Sequence, residues 1–214
     1  MKTHKTWLAL LAALAVIALA AIAAGYGGDD DESSSSPSAM GNKTDAAFIT
    51  DMTAHHQGAI DMATLAQSKA EHPEIKQLAD HIVSAQEGEI SVMKTIRADM
   101  HNMGEDGDTH MDMDKRAMGM DMDMPALENA KPFDKAFIDA MVPHHQGAIA
   151  MAKELLKKGE QPALRKMAKD IISAQTEEIA QMREWRKAWY GSATGSGDMG
   201  SHETSDDDPT DMDG

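Results

Sequence analysis

The chain has 214 residues, a formal net charge of −16, no cysteine, 4 % aromatic residues and 19 methionines. Phosphate backbones repel so acidic a chain, which argues against nucleic acid as a partner, and the missing cysteines exclude disulfides and thiolate metal sites. With few aromatics, the core must be aliphatic and filled by methionine.

The first segment, MKTHKTWLALLAALAVIALAAIAAGYGG, sets Lys2 and Lys5 before an apolar run from Trp7 to Ala24 that ends in small residues. This is the layout of a secretory signal peptide. Residues 1–28 are therefore expected to be a signal peptide or N-terminal anchor, and the protein to be exported, periplasmic or on the cell surface. Any membrane attachment would run through this segment, left uncleaved. Residues 29–43, DDDESSSSPSAMGNK at their core, read as a flexible linker.

Two periodic blocks follow, and they are copies of each other. Residues 47–63 match 136–152 at an offset of 89 with 12 identities in 17 positions, and residues 73–93 match 162–182 at the same offset with 9 in 21. On a helical wheel centred on Met52, the residues Phe48, Ile49, His55, His56, Ala59, Ile60, Met62 and Ala63 share one face. This predicts an amphipathic helix over 44–70 with both histidines on its apolar stripe. Pro73 suits the first turn of the next helix, whose stripe includes Ile82, Gln86, Glu89, Ile90 and Met93. The second copy predicts helices over 134–158 and 162–189, the former ending at Lys157, Lys158 and Gly159. Pro143 falls inside the third helix and is expected to kink it just before His144. One hairpin cannot enclose a core, so the expectation is a four-helix bundle over 44–190, built from repeat 1 (44–100) and repeat 2 (132–190).

Residues 101–131 join the repeats. They are rich in Met and Asp and carry no apolar period, so their methionines are expected to have no core to fill. Residues 191–214 read as a disordered acidic tail.

The polar residues on the apolar stripes carry the chemistry. Each repeat turns a His-His pair, flanking methionines, a Gln and a Glu toward one interior. A buried carboxylate needs a partner, and the inward histidines are the available ones. One reading is that these groups only fix the register of the bundle. The other is a metal site: imidazole suits Cu, Zn, Fe and Ni, thioether selects Cu(I) or Ag(I), and a carboxylate can orient a ligating imidazole. The candidate ligands are Met52, His55, His56, Met62, Gln86, Glu89 and Met93 in repeat 1, and Met141, His144, His145, Met151, Gln175, Glu178 and Met182 in repeat 2. His145 is the weaker of its pair, because adjacent helical residues diverge by about 100°. In the linker, His110, Met111, Met113, Met118, Met120, Met122 and Met124 resemble a loose collector of soft ions. The alternative there is a low-complexity solubilising tether.

The strings FITDMTAHHQGAIDMA and FIDAMVPHHQGAIAMA, each followed by SAQ, EI and a methionine, closely resemble the signature of domain-of-unknown-function family 305. The resemblance covers 46–189 apart from the Met-rich linker. It implies a ferritin-like all-α bundle in exported bacterial proteins, some of them linked to copper and silver through Met and His, and the matching positions are the fourteen just named. Three function classes stay open: an exported Cu(I)/Ag(I) protein for sequestration or transfer, with Cu(II) or Zn as further ions and copper-handling proteins as partners; a ferritin-like metalloenzyme; and a metal-free helical interaction module. The absence of any E-x-x-H motif weighs against the second, since di-iron bundle sites use four carboxylates and two such histidines.

Overall fold

The computed structural model describes residues 41–102 and 109–192, with side chains from 41–100 and 109–192. The expected signal peptide, residues 29–40 of the expected linker and residues 193–214 of the expected tail fall outside these residues, while residues 41–43, assigned to the linker, lead into the first helix, which begins at Lys43. Among the described residues no helix is long and apolar enough to cross a membrane.

Helix α1 spans Lys43–Lys69, α2 Pro73–Asn102, α3 Met124–Asn129, α4 Phe133–Lys158 and α5 Pro162–Tyr190. The four long helices match the expected bounds within a residue or two. Asn42 opens α1 with a capping box: its side chain accepts from the amides of Thr44 and Asp45, and Asp45 accepts from the Asn42 amide at 2.7 Å. Prolines 73 and 162 stand at the first turns of α2 and α5, where the missing N–H costs nothing. Helix α4 runs on through Pro143.

Helices α1 and α2 form one hairpin, α4 and α5 the other, and α1 packs directly on α4. The core has two halves. One gathers Phe48, Met52, Ile90, Met93, Met151 and Leu155; the other gathers Met62, Leu78, Ile82, Phe137, Met141 and Met182. Because the two repeats are related by the 89-residue offset, each half is the counterpart of the other.

What joins the hairpins is a reciprocal pair of buried carboxylates. Asp45, in the first turn of α1, accepts from the amides of Glu160 and Gln161 in the α4–α5 loop at 3.0 and 3.3 Å. Asp134, its counterpart in α4, accepts from the amides of Glu71 and His72 in the α1–α2 loop at 3.0 and 2.8 Å, and from the His72 ring at 2.6 Å. Each repeat thus caps the loop of the other. Both carboxylates are at most 1 % exposed, and a buried charge is tolerated when hydrogen bonds to the charged form compensate it.

The inter-repeat linker differs from expectation. It does meet a core: Met111 and Met118 are buried in the first half, with Met113 and Met120 packed against it. Residues 109–123 form a strap held at its start by Asp51, which accepts from the His110 ring at 2.6 Å and from the Met111 amide. The strap then crosses α4. Gly119, at φ +71°, lies on the backbone of Pro143 and His144, and a Cβ on Gly147 would stand 1.8 Å from the Met118 carbonyl oxygen. The contact therefore needs glycine on both sides. Composition and the lack of a period imply methionines with no core to fill; spacing within a non-helical segment carries no signal of which methionines turn inward.

Candidate metal centre

The two His-His pairs sit midway along α1 and α4, and all four rings are buried. The first histidine of each pair meets the other across the α1–α4 contact: His55 and His144 have ring centroids 3.7 Å apart. Their adjacent partners turn away, each 6.2 to 6.4 Å from its neighbour's ring. That is the angular divergence of consecutive helical residues, and here it gives each histidine its own polar partner.

His56 donates from Nε2 to Glu89 at 2.6 Å, and His145 donates from Nε2 to Glu178 at 2.6 Å. The histidine–carboxylate pairing expected from the stripes is present in both repeats, through the second histidine of each pair. His55 donates from Nε2 to the carbonyl of His144 at 3.0 Å. An Nε2 that meets a carboxylate or carbonyl oxygen at these distances donates, so Nε2 carries a proton in all three rings. The Nδ1 atoms of His55, His56 and His145 make no hydrogen bond of ordinary geometry, and His144 makes none at either nitrogen, although the His55 backbone lies near enough to the His144 ring, and the Met118 backbone to the His55 ring, to oppose the effect of burial on each. Gln86 and Gln175 add buried side-chain oxygens in the same condition. Leaving a buried polar atom unsatisfied costs about 1–3 kcal/mol, so a cation accepted here would relieve a standing penalty.

Burial drives the His55 pKa down to about 3, with His56 and His145 adding to it, and the His144 carbonyl opposes only part of this. His144 is held well below its ordinary value for the same first reason, burial, and then by the other three histidines. Both are neutral at pH 7 and carry free lone pairs. Burial would raise Glu178, but hydrogen bonds from His145 and His81 outweigh it and bring it down to about 2. His81 contributes the second of these from Nδ1 at 3.1 Å and is itself raised by that bond. Its counterpart in repeat 2 is Asp170, so Glu178 holds two histidines where Glu89 holds one. The sequence reading missed His81, because it stands at the edge of its stripe.

The methionines divide evenly around this layer. Met52, Met93 and Met151 lie in one core half, and Met62, Met141 and Met182 in the other, all fully buried. Each trio takes two residues from one repeat and one from the other. The strap brings Met111 and Met118 to the first trio's half, while Met122 and Met124 pack against the second. His110 stays at the surface, its ring on Asp51. Among the described residues, no three His, Asp or Glu side chains converge in the manner of a closed metal site. The donor set is instead imidazole and thioether, with one inward carboxylate per repeat already engaged by histidine.

The family model for "Domain of unknown function (DUF305)" matches residues 45–186 and again 164–214. The chain belongs to this family. The solved structure of CopM in its Cu(I)-bound form is 44 % identical, with a TM-score of 0.60 over 69 % of this chain and 98 % of that one. CopM has also been solved in an Ag-bound form, 44 % identical with a TM-score of 0.59 over 69 % and 98 %, and in a Cu(II)-bound form. A putative secreted DUF305 protein from Streptomyces coelicolor is 26 % identical, with a TM-score of 0.62 over 71 % and 95 %. An uncharacterised protein, L153, of Acanthamoeba polyphaga mimivirus is 39 % identical over 49 residues, which span 23 % of this chain and 32 % of that protein.

Proposed function

We propose that this DUF305 protein is an exported Cu(I)- and Ag(I)-binding protein that sequesters or hands over the ion rather than transforming a substrate. The observation that carries the reading is the buried histidine layer, whose rings keep unpartnered nitrogens between two trios of buried methionines. Neutral imidazole and thioether together suit a soft monovalent ion. The Cu(I)- and Ag-bound forms of CopM, 44 % identical, support the same ions here. His55, His56, His144 and His145 are the proposed nitrogen ligands, with the six core methionines as sulfur ligands. Gln86 and Gln175 supply weaker oxygens. Glu89 and Glu178 orient their histidines, and the strap methionines collect the ion. Cu(II) or Zn would use the nitrogens alone. The N-terminal segment and the S. coelicolor relative support export, and copper-handling proteins are the proposed partners.

Expression of the whole chain in copper-, iron- or zinc-supplemented medium, with metal analysis of the purified protein, tests this. Copper should be retained, and Ag(I) should bind in its place. Retained iron would favour the ferritin-like enzyme, and no metal the interaction module. Replacing His144 and His145 together with Gln should lower Cu(I) affinity about tenfold or more; an unchanged affinity would remove the histidine layer from the site.

A further inference from the structure

The repeat symmetry presents two equivalent gaps over the histidine layer, and only one of them is plugged. Gly58 of α1 and Gly147 of α4 are counterparts at the 89-residue offset. The gap at Gly147 is filled by strap backbone, since the position of a Cβ there lies 1.8 Å from the Met118 carbonyl oxygen and 2.7 Å from the Gly119 amide nitrogen. At Gly58 the same position meets no backbone. It has His144 Nε2 at 3.3 Å and the terminal methyl of Met122 at 3.5 Å. Thus the strap contributes a flexible side chain, not backbone, to this gap beside the His144 ring. That ring is 1 % exposed.

Met122 also lines the wall of an open cleft of about 290 Å³ between the strap and α4, together with Met124, Asp121, Asp123, Arg116 and Pro143. Asp121 and Asp123 are exposed at its rim and outnumber Arg116 there, an excess of negative charge that favours cations. Met124 and Met122 offer successive thioethers from rim to gap. Methionine has three rotatable side-chain bonds, so its sulfur can be repositioned without moving backbone.

We propose that this cleft is the port through which a soft monovalent cation reaches the buried histidines, with Met122 passing it to Nε2 of His144 across the gap kept open by Gly58. The proposal rests on the Cu(I)/Ag(I) reading above and adds to it a direction and a carrier. The step is ligand exchange: a sulfur–metal bond is given up as a nitrogen–metal bond forms, with no change of oxidation state.

The test is kinetic. Cu(I) is delivered to the full-length protein from its ferrozine complex in a stopped-flow experiment, and withdrawn from the loaded protein by excess bathocuproine disulfonate. The phase belonging to the histidine layer is the one lost in His144→Gln. A residue that only passes the ion sets both rates and leaves the equilibrium alone. Met122→Leu, which keeps size but removes the sulfur, and Gly58→Ala, which puts a methyl in the gap, should each slow filling and withdrawal about tenfold, with the end-point affinity within about twofold. Ile172→Val, on the other core half, should leave both rates unchanged. Thermal midpoints near that of the parent establish that each variant is folded. Unchanged rates in both Met122→Leu and Gly58→Ala would overturn the port. So would lower affinity at unchanged loading rate, which marks Met122 as an ordinary ligand. A parent protein with no phase sensitive to His144→Gln would instead overturn the Cu(I) reading itself.

Discussion

Replacing Glu178 with Gln separates a carboxylate that tunes a ligand from one that merely packs. Glu178 accepts from His145 at 2.6 Å and from His81 at 3.1 Å. Glutamine keeps one acceptor oxygen and turns an NH₂ group toward the other histidine, so only one of the two bonds survives, and in neutral form. Hydrogen bonds to a charged group are worth about 1.5–3 kcal/mol against about 0.5–1.5 for neutral ones. The metal-free protein should therefore lose about 2 kcal/mol, or about 4–8 °C in melting temperature for a domain of this size. Metal binding should suffer separately. The carboxylate keeps the proton of His145 on Nε2 and frees Nδ1, and loss of such an orienting partner weakens metal binding about 10–100-fold, which is about 1.4–2.7 kcal/mol. Competition against a coloured Cu(I) chelator measures the affinity, and urea unfolding of the metal-free protein measures the stability. Reduced stability with affinity unchanged would refute the orienting role. Glu89→Gln should cost less on both counts, because Glu89 is 24 % exposed and holds one histidine only.

Asp134→Asn should destabilise by about 3 kcal/mol, since the amide cannot accept from the Glu71 amide, the His72 amide and the His72 ring together; a urea-derived loss below about 1 kcal/mol would show that the loop caps itself. Acid should destabilise the metal-free bundle before its carboxylates titrate. The folded pKa of His55 is depressed to about 3, so the unfolded chain binds the extra proton; the contribution is full above pH 6.5 and is lost as pH falls from there toward 3. His55 alone accounts for about 2 kcal/mol between pH 7 and pH 5, with His144 acting in the same direction. A urea midpoint that stays flat over that interval would contradict the burial of neutral rings.

The helices were legible because their information is periodic. A stripe at helical spacing, copied at a fixed offset, gives the elements, their pairing and the inward placement of His56 with Glu89 and of His145 with Glu178. The contact between His55 and His144 lay beyond the pattern, because it depends on how α1 meets α4 and not on either helix alone. Asp45 and Asp134 were legible in part. The 89-residue offset relates them, yet a first-turn aspartate reads locally as a helix cap, and nothing local shows that it reaches into the other hairpin. The strap was the least readable segment. Met111 and Met118 are buried and Met122 borders the cleft, while the alternating Met and Asp residues look alike along the chain.

The exchanged carboxylates bear on how such a chain arose. Each hairpin carries an aspartate that reaches outward and a loop whose amides await one, so a single hairpin sequence holds both halves of the contact. Two identical hairpins related by a twofold axis would satisfy each other in this way, as the self-complementary surface of a symmetric dimer does. Duplication and fusion would turn that dimer into one polypeptide without altering the contact. Fusion also released the two halves from being identical. His81 could stand opposite Asp170, His72 opposite Gln161, and the joining segment could lay backbone over one glycine gap and only a methionine side chain beside its counterpart.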